Sequence, residues 1–319
     1  MEYNYSQLSS NSVMQLLNSH YNLLEPVNCK YYVFGLHDNY LVESNDKKYI
    51  FRLYRNDWRK EEEILFELEL LSYLHKTESN VAYPIETTNS NLSTSVESPE
   101  GKRIGALFHY ADGYAPERGI SLEECTLLGS SVAKIHEKTR YFKTQYSRQN
   151  LDLSFLVDRS LKQIKPFLNS RQNAYLQNIQ SKIKSGISNL NIDNDDFGIC
   201  IGDVNPSNFH ISKEKVITHF DFDQCGYGYR AFELGKFSSS LYGYESKKEN
   251  MQAFLHGYNS VRQLTTIEKM TIPYFEIASI IWVMSIHVSN ANKIGYKYLE
   301  NPFWVNRIGR IEALDVNLV

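Results

Sequence analysis

The 319-residue chain has only four cysteines, Cys29, Cys125, Cys200 and Cys225, and no two of them form a CxxC pair. That spacing excludes a zinc ribbon and a dense disulfide framework, and suits reduced, buried thiols in a cytosolic protein. Positive charge in excess is missing as well: 34 Lys and Arg face 37 Asp and Glu, a net charge of −3. Without it the chain lacks the electrostatic footprint of a nucleic-acid binder or of a protein held on an anionic membrane, so neither partner is expected. The opening MEYNYSQLSSNSVMQLL has no basic n-region and no apolar h-region, which argues against a secretory signal. Long apolar runs are scarce. The longest near the C-terminus, Ile277 to Val288, is interrupted by Ser279, Ser285 and His287, and reads as a core helix too short to span a bilayer. There is no internal repeat and no low-complexity segment.

What is present is ordinary globular material, 22% charged and 42% hydrophobic, long enough for one two-lobed domain or two domains. Residues 1–110 carry 10 basic against 15 acidic residues, and residues 111–319 carry 24 against 22, so the second part is no acidic trap for polycations. The first part is strand-rich. After a leading helix over residues 7–19, the runs YYVFGLHDNYLVE and KKYIFRLYR are β-branched and aromatic, with SND between them as hairpin chemistry. Gly35 breaks the first run and could let backbone N–H groups approach a phosphate, but one glycine is a weak signal and an ordinary turn is the better reading. A strongly helical segment comes next, WRKEEEILFELELLSYLHK, with Ile64, Leu68, Leu71 and Leu74 as its apolar stripe. Beyond it an Asn/Ser/Thr-rich stretch reads as turns, and RIGALFHY is a strand entering a linker at Ala111-Asp112-Gly113. The rest is mainly helical: 122–139, Leu153 to Leu168, a segment to Ile187, Glu249 to Arg262, Tyr274 to Val288 and Asn301 to Leu314, with a polar loop at Ser188 to Asp196.

Two sets of residues point to chemistry. Arg52 lies in a strand flanked by apolar residues, where an inward cation needs an anionic partner. Glu67 stands beside the apolar stripe of the next helix and could reach it. A strand cation paired with a helix glutamate orients the α- and β-phosphates of a nucleotide in kinases; a solvated helix face is the ordinary reading of any one glutamate here, and Glu67 is preferred over Glu61 to Glu63 and Glu69 for its place on the inner side. The second set lies in CIGDVNPSNFHISKEKVITHFDFDQCGYGYRAFELGKF, residues 200–237. There Asp203 is followed five residues on by Asn208, and Asp221 and Asp223 close a second apolar run. Magnesium bound with phosphates takes hard oxygen ligands, often only one or two from protein. Asn208 and Asp221 can supply them from two loops joined by a hairpin, while Asp203 can accept a proton from a substrate hydroxyl. Asp223 is a second ligand or an N-terminal anchor for the segment after it; alternation along a strand end puts it on the face of Asp221. Asp and Asn capping two turns would explain either loop in isolation. His136, alone on its helix, reads as a core or surface histidine.

The order IGDVNPSN, then ITHFDFDQCGYGYRAFELGKF, resembles the aminoglycoside phosphotransferase and type II homoserine kinase superfamily, and the similarity extends to IFRLYR, EEILFELELLSYL, ALFHYADG and LGSSVAKIHE. The resemblance implies an α+β, protein-kinase-like two-lobed fold, with an antiparallel-sheet N-terminal lobe at 1–110 and a mainly helical C-terminal lobe at 111–319. It implies Asp203 as catalytic base, Asn208 and Asp221 as ligands of Mg2+, Arg52 with Glu67 as the phosphate-orienting pair, and Phe108, His109 and Tyr110 as the hinge that contacts the base of ATP or GTP. Two residues depart from the family pattern: Ile201 stands where a loop-bracing His is usual, and Arg52 where Lys is common. The activity implied is transfer of the γ-phosphate to a hydroxyl of a small polar molecule such as an amino acid, amino alcohol or aminoglycoside, in the cytoplasm. Ile201 and Arg52 keep open a catalytically weak nucleotide-binding protein. A protein Ser/Thr kinase is disfavoured by the short stretch between Asp223 and Arg230, too short for a peptide-binding platform. Tyr227, Tyr229 and Arg230 are candidates for the rim of the substrate pocket and equally plausible as plain packing residues.

Overall fold

Hairpin chemistry dominates the beginning of the chain. The computed structural model describes residues 3–25, 27–116, 119–189, 196–316 and 318. These fall into two compact units. One comprises Met1–Gly113 with Phe142–Arg148 and Thr218–Phe220, the other Tyr114–Tyr141, Gln149–Ile217 and Asp221–Val319.

In the first unit, helix α1 (Ser10–His20) is capped by Ser9, whose hydroxyl accepts from the Ser12 N–H. Strands β1 (Val27–Phe34), β2 (Asp38–Ser44) and β3 (Lys47–Leu53) form an antiparallel meander. The SND turn closes β2 on β3 because Asn45 and Asp46 both take positive φ, 44° and 62°, as short polar side chains tolerate. The sheet order is β1-β2-β3-β6-β4, with β5 also on β6. Strand β6 (Gly101–His109) was expected; β4 (Pro84–Ile85) was not, and β5 (Thr94–Ser98) corrects the reading of the Asn/Ser/Thr-rich stretch as turns. Alternation in β5 is carried by Thr94 and Val96, one of them polar, so the inward face is faint in sequence. Helix α2 (Glu61–Lys76) opens on three glutamates and ends on His75 and Lys76, charges that suit its macrodipole. Val13, Leu17, Tyr40, Phe51, Leu53 and Leu107 pack one core between α1 and the sheet. At the edge of that core Arg103 and Asp38, both fully buried, pair at 2.7 Å, and Tyr5 donates to the same carboxylate.

The second unit is mainly helical. Helix α3 (Leu122–Lys138) starts with a reciprocal Ser121–Glu124 capping box. It packs on α7 (Lys247–Asn259) with backbones nearly touching: a Cβ on Gly129 would lie 1.9 Å from the Phe254 carbonyl oxygen, and one on Gly257 1.9 Å from that of Thr126. The helix expected from Leu153 to Leu168 is instead a π-helical stretch (Ser154–Arg159), a short α4 (Ser160–Ile164) and a 3-10 turn around Pro166, whose missing N–H breaks the ladder. Helix α5 (Ser170–Asn189) extends into the expected polar loop, of which residues 190–195 lie outside the described residues. Strand β7 (Phe197–Cys200) comes next, then β8 (Phe209–Ile211); β9 (Ile217–His219) follows in the chain, with Thr218 and His219 belonging to the first unit. A further strand, β10 (Gly226–Tyr229), pairs with β7. Its GYGY sequence gives no hydrophobic signal, which is why it was not expected. Helices α6 (Arg230–Ser240), α8 (Thr266–Ile294) and α9 (Asn301–Asp315) complete the unit. At 29 residues α8 is long and apolar enough to cross a membrane, which corrects the expectation from the shorter run. Burial of 67% of its most apolar window, among residues such as Phe232 and Trp304, identifies it as the core helix of this unit.

Candidate active site

Sheet register places Arg52 between Asn39 on β2 and Ala106 on β6. Its Nε donates to Asn39 Oδ1 at 3.3 Å, and Nη1 reaches Glu67 Oε1, also at 3.3 Å. The rings of Phe108 and Tyr54 lie 5.6 and 5.8 Å from the guanidinium carbon. Glu67 is completely buried, while Arg52 keeps 11% of its side chain exposed. The expected pair is therefore brought together. Glu61, by contrast, stays exposed and meets Lys102, and Glu69 accepts from Thr144. One partner was missed. Arg148, whose side chain is 2% exposed, lies 4.0 Å from Glu67 Oε2 and donates to the Glu63 carbonyl. A carboxylate shared by two guanidinium groups leaves the trio with a net positive charge. Nothing in the loop RYFKTQYSRQN signals this contact, which depends on where Phe142–Arg148 packs.

Phe108, His109 and Tyr110 lie at the end of β6. The His109 N–H donates to the Tyr83 carbonyl at 3.0 Å and the Tyr110 N–H to the Lys48 carbonyl at 3.3 Å. A ligand here could meet carbonyl oxygens but not these two N–H groups. The His109 ring packs on Tyr83, itself stacked on His75 with centroids 3.4 Å apart, and burial followed by the nearby His75 pushes the His109 imidazole below its ordinary pKa. Burial, then hydrogen bonding with Tyr32, pushes the Tyr110 phenol up to about 12.

In the second unit, the acidic loop leaves β7 through Gly202, at φ +89°. A side chain there would be strained, and its Cβ would lie 2.0 Å from the Gln224 carbonyl, so glycine lets the two loops touch. The loop backbone is gripped from α6. Glu233, fully buried, accepts the Ile201 N–H at 2.6 Å on Oε2 and the Gly202 N–H at 2.8 Å on Oε1. Burial pushes its carboxyl up to about 7, against the lowering effect of those two N–H groups and of Lys236. Lys236, one turn further on α6, contacts Asp203 Oδ1 at 2.6 Å and is 7% exposed. Asn208 donates its amide nitrogen to Asp203 Oδ2 at 2.9 Å and to the Asp203 carbonyl at 3.0 Å. Both oxygens of Asp203 are thus held, and the orientation of Asn208 commits its nitrogen and leaves Oδ1 as the atom that could ligate a cation.

Asp221 takes a left-handed conformation, φ 62° and ψ 61°, and starts a 3-10 turn over Phe222–Gln224. The strand alternation expected to align Asp223 with Asp221 therefore does not exist. Asp223 is 2% exposed and accepts from Gln224 Nε2 at 2.9 Å. Of the residues read as pocket rim or plain packing, Tyr229 packs on Phe197 and Phe275, and Arg230 is buried with Nη2 on the His136 carbonyl, as in the packing reading. His136 is a core residue, its Nδ1 within 2.7 Å of the Tyr258 hydroxyl, and burial holds the imidazole well below its ordinary pKa. Two polar residues that matter were missed, Glu233 and Lys236. Their signal was present: two charges three apart on the otherwise apolar FELGKF helix face one side.

A divalent cation fits this donor set. Asn208 Oδ1 and the Asp221 carboxylate are hard oxygens on adjacent loops, and among the described residues no cluster of three or more His, Cys, Asp or Glu side chains forms a self-sufficient metal cage. Magnesium held with phosphates needs no more protein ligands than these.

Residues 35–270 match the phosphotransferase enzyme family. An uncharacterized protein of Synechocystis sp. is 34% identical over 312 residues, covering 97% of this chain and 86% of that one. Among solved structures, a microcompartment-associated aminopropanol kinase superposes with a TM-score of 0.73 at 19% identity, covering 92% of this chain and 99% of its own. An amicoumacin kinase, in complex with AMP-PNP, Ca2+ and Ami, gives 0.75 at 20% identity, covering 92% and 94%. The α+β fold, an antiparallel sheet followed by a mainly helical part, is the fold of these kinases.

Proposed function

Since the chain belongs to the phosphotransferase enzyme family, we propose that it transfers the γ-phosphate of ATP or GTP to a hydroxyl of a small polar molecule. The observation that carries this reading is Asp203. Its carboxylate is oriented by Lys236 and Asn208 on a loop whose backbone is gripped by Glu233. Asp203 accepts the proton of the acceptor hydroxyl as its oxygen bonds to the γ-phosphorus and the bond to the leaving nucleoside diphosphate breaks. Arg52, supported by Glu67 and Arg148, contributes positive charge to the nucleotide phosphates, and the Phe108–Tyr110 backbone meets the base. Asn208 and Asp221 would hold Mg2+, which neutralises phosphate charge when bound. The binding of AMP-PNP and Ca2+ to the amicoumacin kinase supports a nucleotide donor and a divalent cation on this fold.

Ile201 does not argue for a weak or dead enzyme. The loop that a histidine would brace is held through the Ile201 and Gly202 N–H groups by Glu233. A protein acceptor is disfavoured because residues between Asp223 and Arg230 are taken up by a 3-10 turn and β10. A nucleotide donor also puts the protein in the cytoplasm, where three buried thiols stay reduced. The test is a coupled ADP-release screen with Mg2+ and ATP over homoserine, amino alcohols, sugars, nucleosides and aminoglycosides. At least one acceptor should exceed background hydrolysis, and Asp203→Ala should lower that rate roughly 10²- to 10⁴-fold while nucleotide binding survives. Silence over the whole panel sinks the proposal.

A further inference from the structure

Most buried arginines of the described residues face carboxylates: Arg52 meets Glu67, Arg103 meets Asp38, and Arg262 meets Glu268 and Asp196. Arg307 and Arg310 on α9 do not. Both are half-buried, they stand three apart on one face of the helix, and among the described residues neither forms an ion pair. Arg310 Nη2 donates to the Ser239 carbonyl at 2.8 Å and its guanidinium lies 3.9 Å from the centre of the Tyr242 ring, while its Nε is buried without a hydrogen-bond partner among the described residues. Arg307 Nη1 donates to Asn306 Oδ1 at 3.2 Å, and its guanidinium lies 5.1 Å from the centre of the Phe303 ring. Glu276 offsets the Arg310 charge only weakly, behind burial, Arg307 and Tyr242, and its own oxygens accept from Ser238 and Lys247. Burial lowers the pKa of Arg310, and the neighbouring Arg307 lowers it further.

Two half-desolvated cations side by side repel each other, and burying them unpaired costs free energy that an anion would return. Their position gives that anion a purpose. Ser239, whose carbonyl receives Arg310, is three residues along α6 from Lys236, which contacts Asp203, so one helical turn separates the residue that receives Arg310 from the residue that holds the proposed base. Tyr242 beside them is 54% exposed, so the approach is open to solvent.

We propose that Arg307 and Arg310 form the anion subsite of the acceptor, so that the substrate is a hydroxyl compound that also carries a carboxylate or phosphomonoester. The hydroxyl lies toward Asp203 and the anionic group on the two guanidinium forks, with the Arg310 Nε–H as one donor. The assignment of the hydroxyl rests on the phosphotransfer reading; the anion subsite does not.

The test is direct binding by calorimetry to the full chain carrying Asp203→Ala, which requires no turnover. The probes are hydroxybutyrate and glycerophosphate, with butanediol, glycerol and aminobutanol as uncharged and cationic counterparts. One of the two anionic probes binds at least tenfold more tightly than its uncharged counterpart, and the better of the two identifies the anionic group. Adding Arg310→Met or Arg307→Gln weakens that probe roughly ten- to a hundredfold and leaves nucleotide affinity unchanged. Arg307→Gln removes no backbone contact and guards against a folding defect in Arg310→Met. Equal binding of the uncharged or cationic counterparts, or anion affinity unaltered in both variants, overturns the proposal. Anion binding that disappears in both variants, in a protein that never releases ADP, upholds the subsite and removes only the phosphotransfer reading.

Discussion

Replacing Glu233 by Gln changes one oxygen for an NH2 group and removes a buried charge. Two opposing effects can be weighed. The carboxylate holds the Ile201 and Gly202 N–H groups at 2.6 and 2.8 Å, and Gln can satisfy only one of them, leaving a donor facing a donor. An unsatisfied buried N–H costs about 1–3 kcal/mol. Against this, burial raises the carboxyl from 4.5 to about 7, which corresponds to roughly 3 kcal/mol between the two ends of that interval. The sign is set by the raised value: the folded protein binds the extra proton, so the contribution of Glu233 to stability is complete below pH 4.5 and lost as pH rises through 7. Gln does not titrate. Urea unfolding of both proteins across that interval should therefore show the stability advantage of the wild type shrinking as pH rises, by roughly 3 kcal/mol in total. Near neutral pH the stabilities nearly coincide, yet kcat should fall about 100-fold, since displacing the Asp203 loop by about 1 Å is enough to cost that much. Parallel pH curves would refute the raised ionisation, and a kcat within twofold of wild type would refute the brace.

Other perturbations have simpler outcomes. Gly202→Ala must relieve a 2.0 Å contact with the Gln224 carbonyl at φ +89°, so it should destabilise by about 2 kcal/mol or more in thermal melting and lower kcat with it. Arg148→Met removes one of the two cations on Glu67, so that Glu67 neutralises Arg52 more fully. The nucleotide KM should rise about five- to tenfold with little change in kcat, and an unchanged KM would show the 4.0 Å contact to be idle. Asp38→Asn leaves the fully buried Arg103 without its closest carboxylate at 2.7 Å and should cost about 3–5 kcal/mol in urea unfolding. A loss below 1 kcal/mol there would mean that Glu100 takes over.

Patterns of short range were legible in the sequence. The meander of β1 to β3, the SND turn and the stripe of α2 all follow from neighbours in the chain, because backbone preference and periodicity act over a few residues. The approach of Arg52 to Glu67 was readable for the same reason, since a cation in an apolar strand must find an anion and the next helix offers one. Strand β10 was not, because GYGY becomes a strand only through its partner β7, and β5 is similarly defined by β6. Asp223 was misjudged because a left-handed Asp221 ends the strand on whose alternation the expectation rested.

Local order in the chain, with its resemblance to a kinase family, determined by itself that this is an α+β phosphotransferase with two acidic loops. Tertiary structure alone decided which charges meet. Arg148 reaches Glu67, Glu233 grips the Ile201–Gly202 backbone, Lys236 holds Asp203, and Arg307 and Arg310 are left without an ion pair among the described residues. A charge acts over ångströms of space rather than along the chain, and the energy of each depends on how far burial has removed it from water.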